Sequence, residues 1–239
     1  MLYIAAALVA VLSHLLGSIN TSIILSRSIY GDDIRNSGSG NAGTTNMLRT
    51  HGKGIAAATL ICDILKGTLA VVIAMWLDIF FVESSGRDSI SAGEMNYLLG
   101  NLKYIAGVFV VLGHDFPVFF GFKGGKGVAT SLGVIIAFSW QIALILLAVE
   151  VVVIIFSRYV SLGSITAAGV YPFILFTYLL ASGENLEECT AYIAMSFILA
   201  FILIAKHHSN ITKLKNGTEN KIFAKKPAEP EQSGEESEV

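Results

Sequence analysis

The chain has 239 residues, of which 54% are hydrophobic and 14% are charged, and its mean hydropathy is +0.67. Soluble domains carry about 25% charged residues, so this composition excludes an ordinary soluble domain and indicates a protein that lies in lipid. The net charge of −2 indicates no class of partner, because the acidic and basic residues lie in separate parts of the chain.

Long apolar segments alternate with polar connections along most of the chain. Seven such segments lie at about 2–29, 54–82, 97–120, 124–139, 141–156, 161–180 and 190–206. A membrane helix needs roughly 20 residues, so the fourth and fifth segments are short and form either two thin spans or a re-entrant pair. The first segment lacks a basic start and a cleavage site, so we expect it to be retained. The sequence predicts an all-α polytopic integral membrane helical bundle with about seven transmembrane helices.

The distribution of basic residues predicts the orientation of these helices. Lys and Arg are enriched in cytoplasmic loops, and here they concentrate in alternate connections, around Arg35 and Arg49, Lys123 and Lys126, and in the C-terminal residues. Acidic residues gather in the other connections. We therefore expect the N-terminus outside, the C-terminus in the cytoplasm, and one composite site where the basic connections meet.

The first basic connection, residues 33–53, is rich in glycine and short polar side chains, and we call it the first glycine-rich loop. Free N–H groups beside fixed positive charge bind anions such as phosphate. The candidate ligands are Ser39, Gly40, Asn41, Thr45, Asn46 and Arg49. The loop also fits the G-x-G-x-x-G pattern, but a dinucleotide site requires a preceding strand and a span precedes this loop, so we reject it. The alternative is a solvated loop with a positive-inside arginine.

A charged pair interrupts the second apolar segment. Asp63 and Lys66 are three residues apart in sequence and therefore share one helix face. Intramembrane charges are costly and usually functional, so Lys66 is a candidate substrate-binding residue. The alternative, equally open, is a structural pair in which the two charges neutralise each other.

The second glycine-rich loop comprises residues 113–133, and we expect the preceding helix to end near its start because Pro117 breaks the helix. Its candidate binding residues are His114, Lys123, Gly124, Gly125 and Lys126. An anion would meet free N–H groups at the N-terminus of the helix that starts at Val128, while Lys126 supplies charge. The alternative is that both lysines snorkel to the membrane edge. The glycine spacing does not fit a Walker motif.

The C-terminal residues supply a third set of candidates. His207 and Asn210 are three residues apart and point the same way on a continuing helix. Alternatively, His207 and its neighbour His208 are interfacial polar residues. Residues 224–239 are rich in Pro, Glu and Ser, and we expect them to form a disordered acidic cytoplasmic tail after a single transmembrane domain at 1–223.

Taken together, these segments resemble the PlsY family of bacterial acyl-phosphate:glycerol-3-phosphate acyltransferases, which are seven-span membrane enzymes. The pairing of GSGNxGxTN in the first loop with FKGGKGVAT in the second is the most specific part of the match. Further matching pieces are Asp33-Ile34-Arg35, Asp63 with Lys66-Gly67, Gly113-His114, Arg158-Tyr159 with Ser161-Leu162, and His207 with Asn210 and Glu219. Asn20, Ser37 and Lys213 depart from the family pattern, which usually has proline, an apolar residue and arginine there.

The resemblance implies transfer of a fatty acyl group from acyl phosphate to the 1-hydroxyl of sn-glycerol 3-phosphate. The products are lysophosphatidic acid and phosphate, in the first acylation of phospholipid biosynthesis. The implied catalytic residues are Ser39, Lys126, His207 and Asn210, and the implied substrate-binding residues include Arg49 and Glu219. We expect His207 to accept the proton of the acceptor hydroxyl, because a histidine pKa lies near working pH, and the substrate's own phosphate is the alternative acceptor.

The expected partners are acyl phosphate, glycerol 3-phosphate and the lipid bilayer, with no nucleic acid, no cofactor and no metal. We expect a functional monomer in the bacterial inner (plasma) membrane, with its active site facing the cytoplasm. The alternative is a small transporter for an anion or a phosphorylated metabolite. Transporters more often bind substrate near the bilayer midplane, whereas nearly all candidates here lie at one face.

Overall fold

The computed structural model describes residues 2–84 and 101–222. The predicted tail at 224–239 and the start of the third predicted segment, 97–100, lie outside the described residues. Ten α-helices occur in the described part: α1 Leu2–Ser18, α2 Thr21–Leu25, α3 Thr44–Thr50, α4 Lys53–Ser84, α5 Leu102–Asp115, α6 Val128–Phe138, α7 Trp140–Ser157, α8 Val160–Ala181, α9 Thr190–Lys206 and α10 His208–Lys215. This part of the chain contains short 3₁₀ and π segments but no strand.

Five segments are long and apolar enough to cross a membrane: Tyr3–Tyr30, Lys53–Ile79, Leu102–Phe120, Trp140–Ser157 and Val160–Ala181. Helices α9 and α10 meet at a 57° bend and together qualify as a sixth. Helix α6 has 11 residues, or about 16 Å, roughly half of the hydrocarbon core. The all-helical membrane bundle is confirmed, and the count of seven crossings stays a prediction.

Two predicted segments are less regular than expected. The first breaks after Ser18, where the Asn20 side chain accepts a hydrogen bond from the N–H of Ile23 and caps α2. Asparagine favours an N-cap over a helix interior because its short amide bonds nearby backbone groups. The third ends as an α-helix at Asp115, before Pro117, and a 3₁₀ turn follows at Val118–Phe120.

Glycines allow the helices to approach closely. A Cβ added to Gly17 on α1 would lie 2.1 Å from the carbonyl oxygen of Val110 on α5, and one added to Gly67 on α4 would lie 2.2 Å from that of Thr130 on α6. Small residues at helix interfaces are the usual device for close packing in membranes. These contacts fix the helices that carry both glycine-rich loops.

The bundle has a buried core and an apolar outer surface. The core includes Val71, Val110, Val134, Leu175 and Leu199, all at most 1% exposed. Large apolar side chains also point outward, among them Trp76, Phe156 and Phe201, which are more than two-thirds exposed. An outer surface of this kind matches the hydrocarbon of a bilayer.

Candidate active site

A cavity of about 410 Å³ lies between the two glycine-rich loops and helices α4, α7, α8 and α10. The predicted site residues that line it are Ser39, Asn41, Thr45, Asn46, Arg49, His114, Lys126, His207, Asn210 and Glu219. Those that do not line it are Gly40, Lys66, Lys123, Gly124 and Gly125. The fold therefore collects candidates from both glycine-rich loops and from the C-terminal segment.

Asn46 determines the shape of the first glycine-rich loop. Its side-chain amide donates to the carbonyl oxygens of Ile34 at 3.1 Å and Ser37 at 2.9 Å, and its Oδ1 accepts from the N–H of Ser39 at 2.9 Å. Gly38 lies against this amide with a positive φ of 59°, where a Cβ would approach Asn46 Oδ1 to 2.3 Å. The side-chain hydrogen bonds of Asn46 thus hold the loop in the conformation that places Ser39 at the cavity.

The two glycines of the second loop have a different role from the one expected. The N–H of Gly124 donates to the carbonyl oxygen of Asp115 at 3.3 Å, and that of Gly125 to His114 at 3.1 Å, so neither N–H group is free for an anion. A Cβ on Gly125 would lie 2.0 Å from His114 Nε2. Gly124 and Gly125 are therefore explained by close packing, and the anion site expected at the N-terminus of the helix that starts at Val128 stays a prediction. Lys123 is exposed, outside the cavity.

Lys66 belongs to the wall behind the cavity. Its Nζ lies 2.8 Å from Asp63 Oδ1, 2.9 Å from His114 Nδ1 and 3.0 Å from the carbonyl oxygen of Ile19. All three side chains are nearly fully buried, whereas only Asp63 and His114 reach the cavity lining. This geometry favours the structural-pair alternative for Lys66, because its ammonium group is enclosed by atoms of the protein.

A hydrogen-bonded chain crosses the cavity from Lys126. Lys126 Nζ donates to Asn210 Oδ1 at 2.7 Å, and Asn210 Nδ2 donates to Glu219 Oε1 at 2.9 Å. The hydroxyl of Ser161 donates to the same Glu219 oxygen at 3.0 Å. The second glycine-rich loop, α8 and the C-terminal segment are thus joined by side chains that face the cavity.

Burial sets the charge state of Lys126. Removal from water lowers its pKa to about 8, the negative charge of Glu219 acts in the opposite direction, and the nearby charges of Arg49 and Lys213 lower it further. Lys126 is therefore mostly protonated at neutral pH and loses its charge as the pH rises through 8. A cation in such a low-dielectric place interacts strongly with any anion that enters.

His207 lies at the bend between α9 and α10 and is 2% exposed. Its Nδ1 lies 2.7 Å from the carbonyl oxygen of Leu203, which requires a proton on Nδ1 and leaves Nε2 as an acceptor. Burial, and next the charge of Lys126, lower the pKa of His207 to about 4. The imidazole is therefore neutral at physiological pH.

The sequence profile of a family described as glycerol-3-phosphate acyltransferase matches residues 7–217. The chain belongs to this family. Its relatives include glycerol-3-phosphate acyltransferases of Clostridioides difficile (strain 630), 41% identical over 92% of this chain and 96% of the relative, and of Mesorhizobium japonicum, 42% identical over 91% and 96%.

A solved structure of PlsY, an integral membrane glycerol 3-phosphate acyltransferase in its glycerol 3-phosphate form, is 36% identical to this chain. It superposes with a TM-score of 0.71 over 91% of this chain and 95% of that one. The resemblance to the PlsY family is confirmed. The chain is a membrane acyltransferase, which decides against the transporter alternative.

The acyltransferase cavity also contains residues that we did not predict as site residues. Ser161, Lys213 and Asn220 line the cationic part, where Arg49 donates to the Asn220 carbonyl oxygen at 3.3 Å. Deeper in the cavity, Glu150 Oε1 accepts from the Ser164 hydroxyl at 2.6 Å. A single carboxylate within the apolar run 141–156 was a usable signal for Glu150, whereas nothing local marks Asn220.

A narrow apolar crevice of about 50 Å³ adjoins the cavity on its side toward the centre of the bundle. Val128, Leu132, Leu147, Glu150 and Ser164 line both spaces. The inner walls come from α6 to α9 and include Ile135, Leu146, Ala167, Tyr171 and Leu199. The acyltransferase therefore has a cationic chamber with an apolar crevice beside it.

Proposed function

We propose that this acyltransferase uses acyl phosphate as donor and the 1-hydroxyl of sn-glycerol 3-phosphate as acceptor, and releases lysophosphatidic acid and phosphate. The position of the cationic chamber beside the apolar crevice, with five lining residues in common, carries this proposal. Arg49, Lys126 and Lys213 suit the phosphate groups of both substrates, and the crevice suits an acyl chain. The relative's structures in the glycerol 3-phosphate and lysophosphatidic acid forms support this acceptor and product.

In the proposed step the acceptor hydroxyl oxygen attacks the acyl carbonyl carbon directly. A new C–O ester bond forms, the C–O bond to the phosphate breaks, and phosphate leaves with the bonding electrons. Lys126 and Ser39 stabilise the oxyanion and the departing phosphate. Arg49 binds a substrate phosphate with two parallel hydrogen bonds. Asn210, fixed by Glu219, orients the acceptor.

The proton of the acceptor hydroxyl goes to one of two groups. His207 offers an unprotonated Nε2, but its pKa of about 4 makes it a weak base. A phosphate monoester in water has a second pKa of about 6, so the substrate phosphate is the competing base. We assign the proton to the phosphate and hydrogen-bond acceptance at Nε2 to His207. The test is His207→Gln: an acid limb of the pH–rate profile near pH 6 that the substitution leaves in place supports this assignment, whereas an acid limb near pH 4 that the substitution removes assigns the base to His207.

The decisive assay uses the purified protein with palmitoyl phosphate and labelled glycerol 3-phosphate. We expect labelled lysophosphatidic acid and phosphate in equal amounts, and no product with palmitoyl-CoA. Lys126→Met should abolish the reaction, while Lys215→Met, on the exposed side of α10, serves as the matched control. Labelled product from palmitoyl-CoA but not from palmitoyl phosphate would overturn the choice of donor.

We further propose that the protein is a functional monomer in the bacterial inner membrane, with seven crossings and its cavity open to the cytoplasm. The concentration of basic residues around the cavity supports this orientation. Single cysteines introduced at Ser37 and Asn216 in a background lacking Cys62 and Cys189 should react with an impermeant maleimide only after the cells are permeabilised. Labelling of intact cells at either position would reverse the orientation.

A further inference from the structure

Arg35 joins the two glycine-rich loops. Its Nη1 donates to the carbonyl oxygen of Phe120 at 2.7 Å and to that of Lys123 at 3.2 Å. Both carbonyls belong to the second loop, whereas Arg35 belongs to the first. Arg35 does not line the cavity, so this contact is separate from the proposed substrate-binding residues.

Asp33 holds the guanidinium of Arg35 in place. Asp33 Oδ1 accepts from Arg35 Nε at 2.9 Å and from its N–H at 3.0 Å, and Oδ2 accepts from Nη2 at 2.8 Å. These hydrogen bonds hold the pKa of Asp33 well below its usual range. The Arg35 side chain is about 20% exposed, and planar two-point pairing of this kind fixes an arginine far better than a single contact.

Each of the two loops that Arg35 joins also carries a proposed catalytic residue. The first loop runs from Arg35 to Ser39, and a Cβ on Gly40 would lie 3.3 Å from the Arg35 carbonyl oxygen. The second loop runs from Lys123, through the two tightly packed glycines, to Lys126. Ser39 and Lys126 therefore owe their relative position to two loops that Arg35 ties together.

We propose that Arg35, oriented by Asp33, is a positioning residue that keeps Ser39 and Lys126 in register for acyl transfer, an inference that rests on the proposed function. A misplacement of about 1 Å in an active site reduces turnover about a hundredfold, so a link of this kind has a large effect on the reaction without touching substrate. Lysine cannot replace Arg35, because one ammonium group does not reproduce the planar array of N–H donors of a guanidinium.

The test compares Arg35→Lys and Asp33→Asn with the control Arg27→Lys. Arg27 also donates to Asp33, at 2.7 Å, but its side chain is 51% exposed and meets the second loop through the Phe120 ring, at 5.7 Å, rather than through a hydrogen bond. We expect kcat with palmitoyl phosphate and glycerol 3-phosphate to fall about 10- to 100-fold in the first two variants. We expect the control to change it less than about threefold.

Two further readouts separate positioning from a loss of folded enzyme. The ratio of phosphate released to lysophosphatidic acid formed should rise severalfold in Arg35→Lys, because a misplaced acceptor lets water compete, and this ratio is independent of the active fraction. Hydrogen exchange at the amides of Gly124 and Gly125 should be at least about tenfold faster in Arg35→Lys than in Arg27→Lys.

An unchanged product ratio and unchanged exchange in Arg35→Lys would overturn the positioning role, whatever happens to kcat. Activity of the unsubstituted enzyme with both substrates keeps the proposed function intact in that case. If the unsubstituted enzyme shows no acyl transfer, the proposed function fails, and the exchange measurement alone decides whether Arg35 holds the second loop.

Discussion

Replacement of Gly125 by alanine tests the packing between the second glycine-rich loop and His114. The added Cβ would lie 2.0 Å from His114 Nε2 and 2.8 Å from the carbonyl oxygen of Ala42, whereas ordinary contacts begin at 3.4 Å. The imidazole would have to retreat by 3.4 − 2.0 = 1.4 Å. It is not free to do so, because it is 3% exposed and its Nδ1 lies 2.9 Å from Lys66 Nζ.

The expected cost follows from these constraints. Overpacking a close-packed site costs about 1–3 kcal/mol, and loss of a buried hydrogen-bond partner for Lys66 costs about 1–3 kcal/mol more. We therefore expect Gly125→Ala to lose about 2–6 kcal/mol of stability. At about 2–4 °C per kcal/mol for a chain of this size, thermal unfolding in detergent should begin at least about 4 °C lower. Activity should fall as well, because the same loop carries Lys126.

Gly169→Ala is the matched control, since a Cβ there meets nothing within 4 Å and alanine favours a helix by up to about 1 kcal/mol. A second check is Gly125→Ala in a His114→Ala background: truncation of the ring removes the 2.0 Å clash but leaves the 2.8 Å approach to the Ala42 carbonyl oxygen, so the added cost should become smaller without vanishing. Equal unfolding temperatures for Gly125→Ala and Gly169→Ala would refute the packing argument.

Three further predictions concern the chemistry of the cavity. Lys126→Met should lower kcat by at least about a hundredfold with little change in unfolding temperature, measured by phosphate release. Glu219→Gln removes the charge that raises the pKa of Lys126, so the basic limb of the pH profile should move below pH 8; an unmoved limb contradicts this coupling. Ala167→Leu narrows the apolar crevice, so that less of a long acyl chain can be buried there. Each methylene excluded from the crevice costs about 0.8 kcal/mol of binding. We therefore expect kcat/KM for palmitoyl phosphate to fall about tenfold relative to that for decanoyl phosphate.

The helices were predictable where apolar runs are long and unbroken. Helices α7 and α8 begin and end within one residue of the predicted segments at 141–156 and 161–180. The break in the first segment was not predicted, because Asn20 is a single polar residue whose capping role depends on the N–H of Ile23 and on neighbours distant in sequence, such as the Ala42 carbonyl. Local polarity alone does not separate a cap from a tolerated polar residue in a span.

The residues of the candidate site were predictable from the sequence, but the role of each residue was not. Glycine signals both a free N–H and a missing Cβ, and the sequence does not reveal which property is used; at Gly124 and Gly125 it is the missing Cβ. Lys126 and Asn210 are 84 residues apart, so their pairing depends on tertiary structure. Lys66 looked like a ligand for substrate because it is charged, yet its partners Ile19 and His114 lie on other segments.

Under the proposed function, the Asn210 amide between Lys126 and Glu219 explains how a half-buried lysine stays available for substrate. A direct buried ion pair is strongly destabilised when one partner is removed, by about 3–5 kcal/mol, so an entering phosphate would have to replace Glu219 at that cost. Asn210 instead gives Lys126 a neutral acceptor and passes its own N–H to Glu219. A hydrogen bond between a charged and a neutral group contributes only about 1.5–3 kcal/mol, so phosphate exchanges for the amide more easily than for a carboxylate. Glu219 still raises the pKa of Lys126 from a distance. This keeps the lysine charged, while Glu219 itself accepts no hydrogen bond from it.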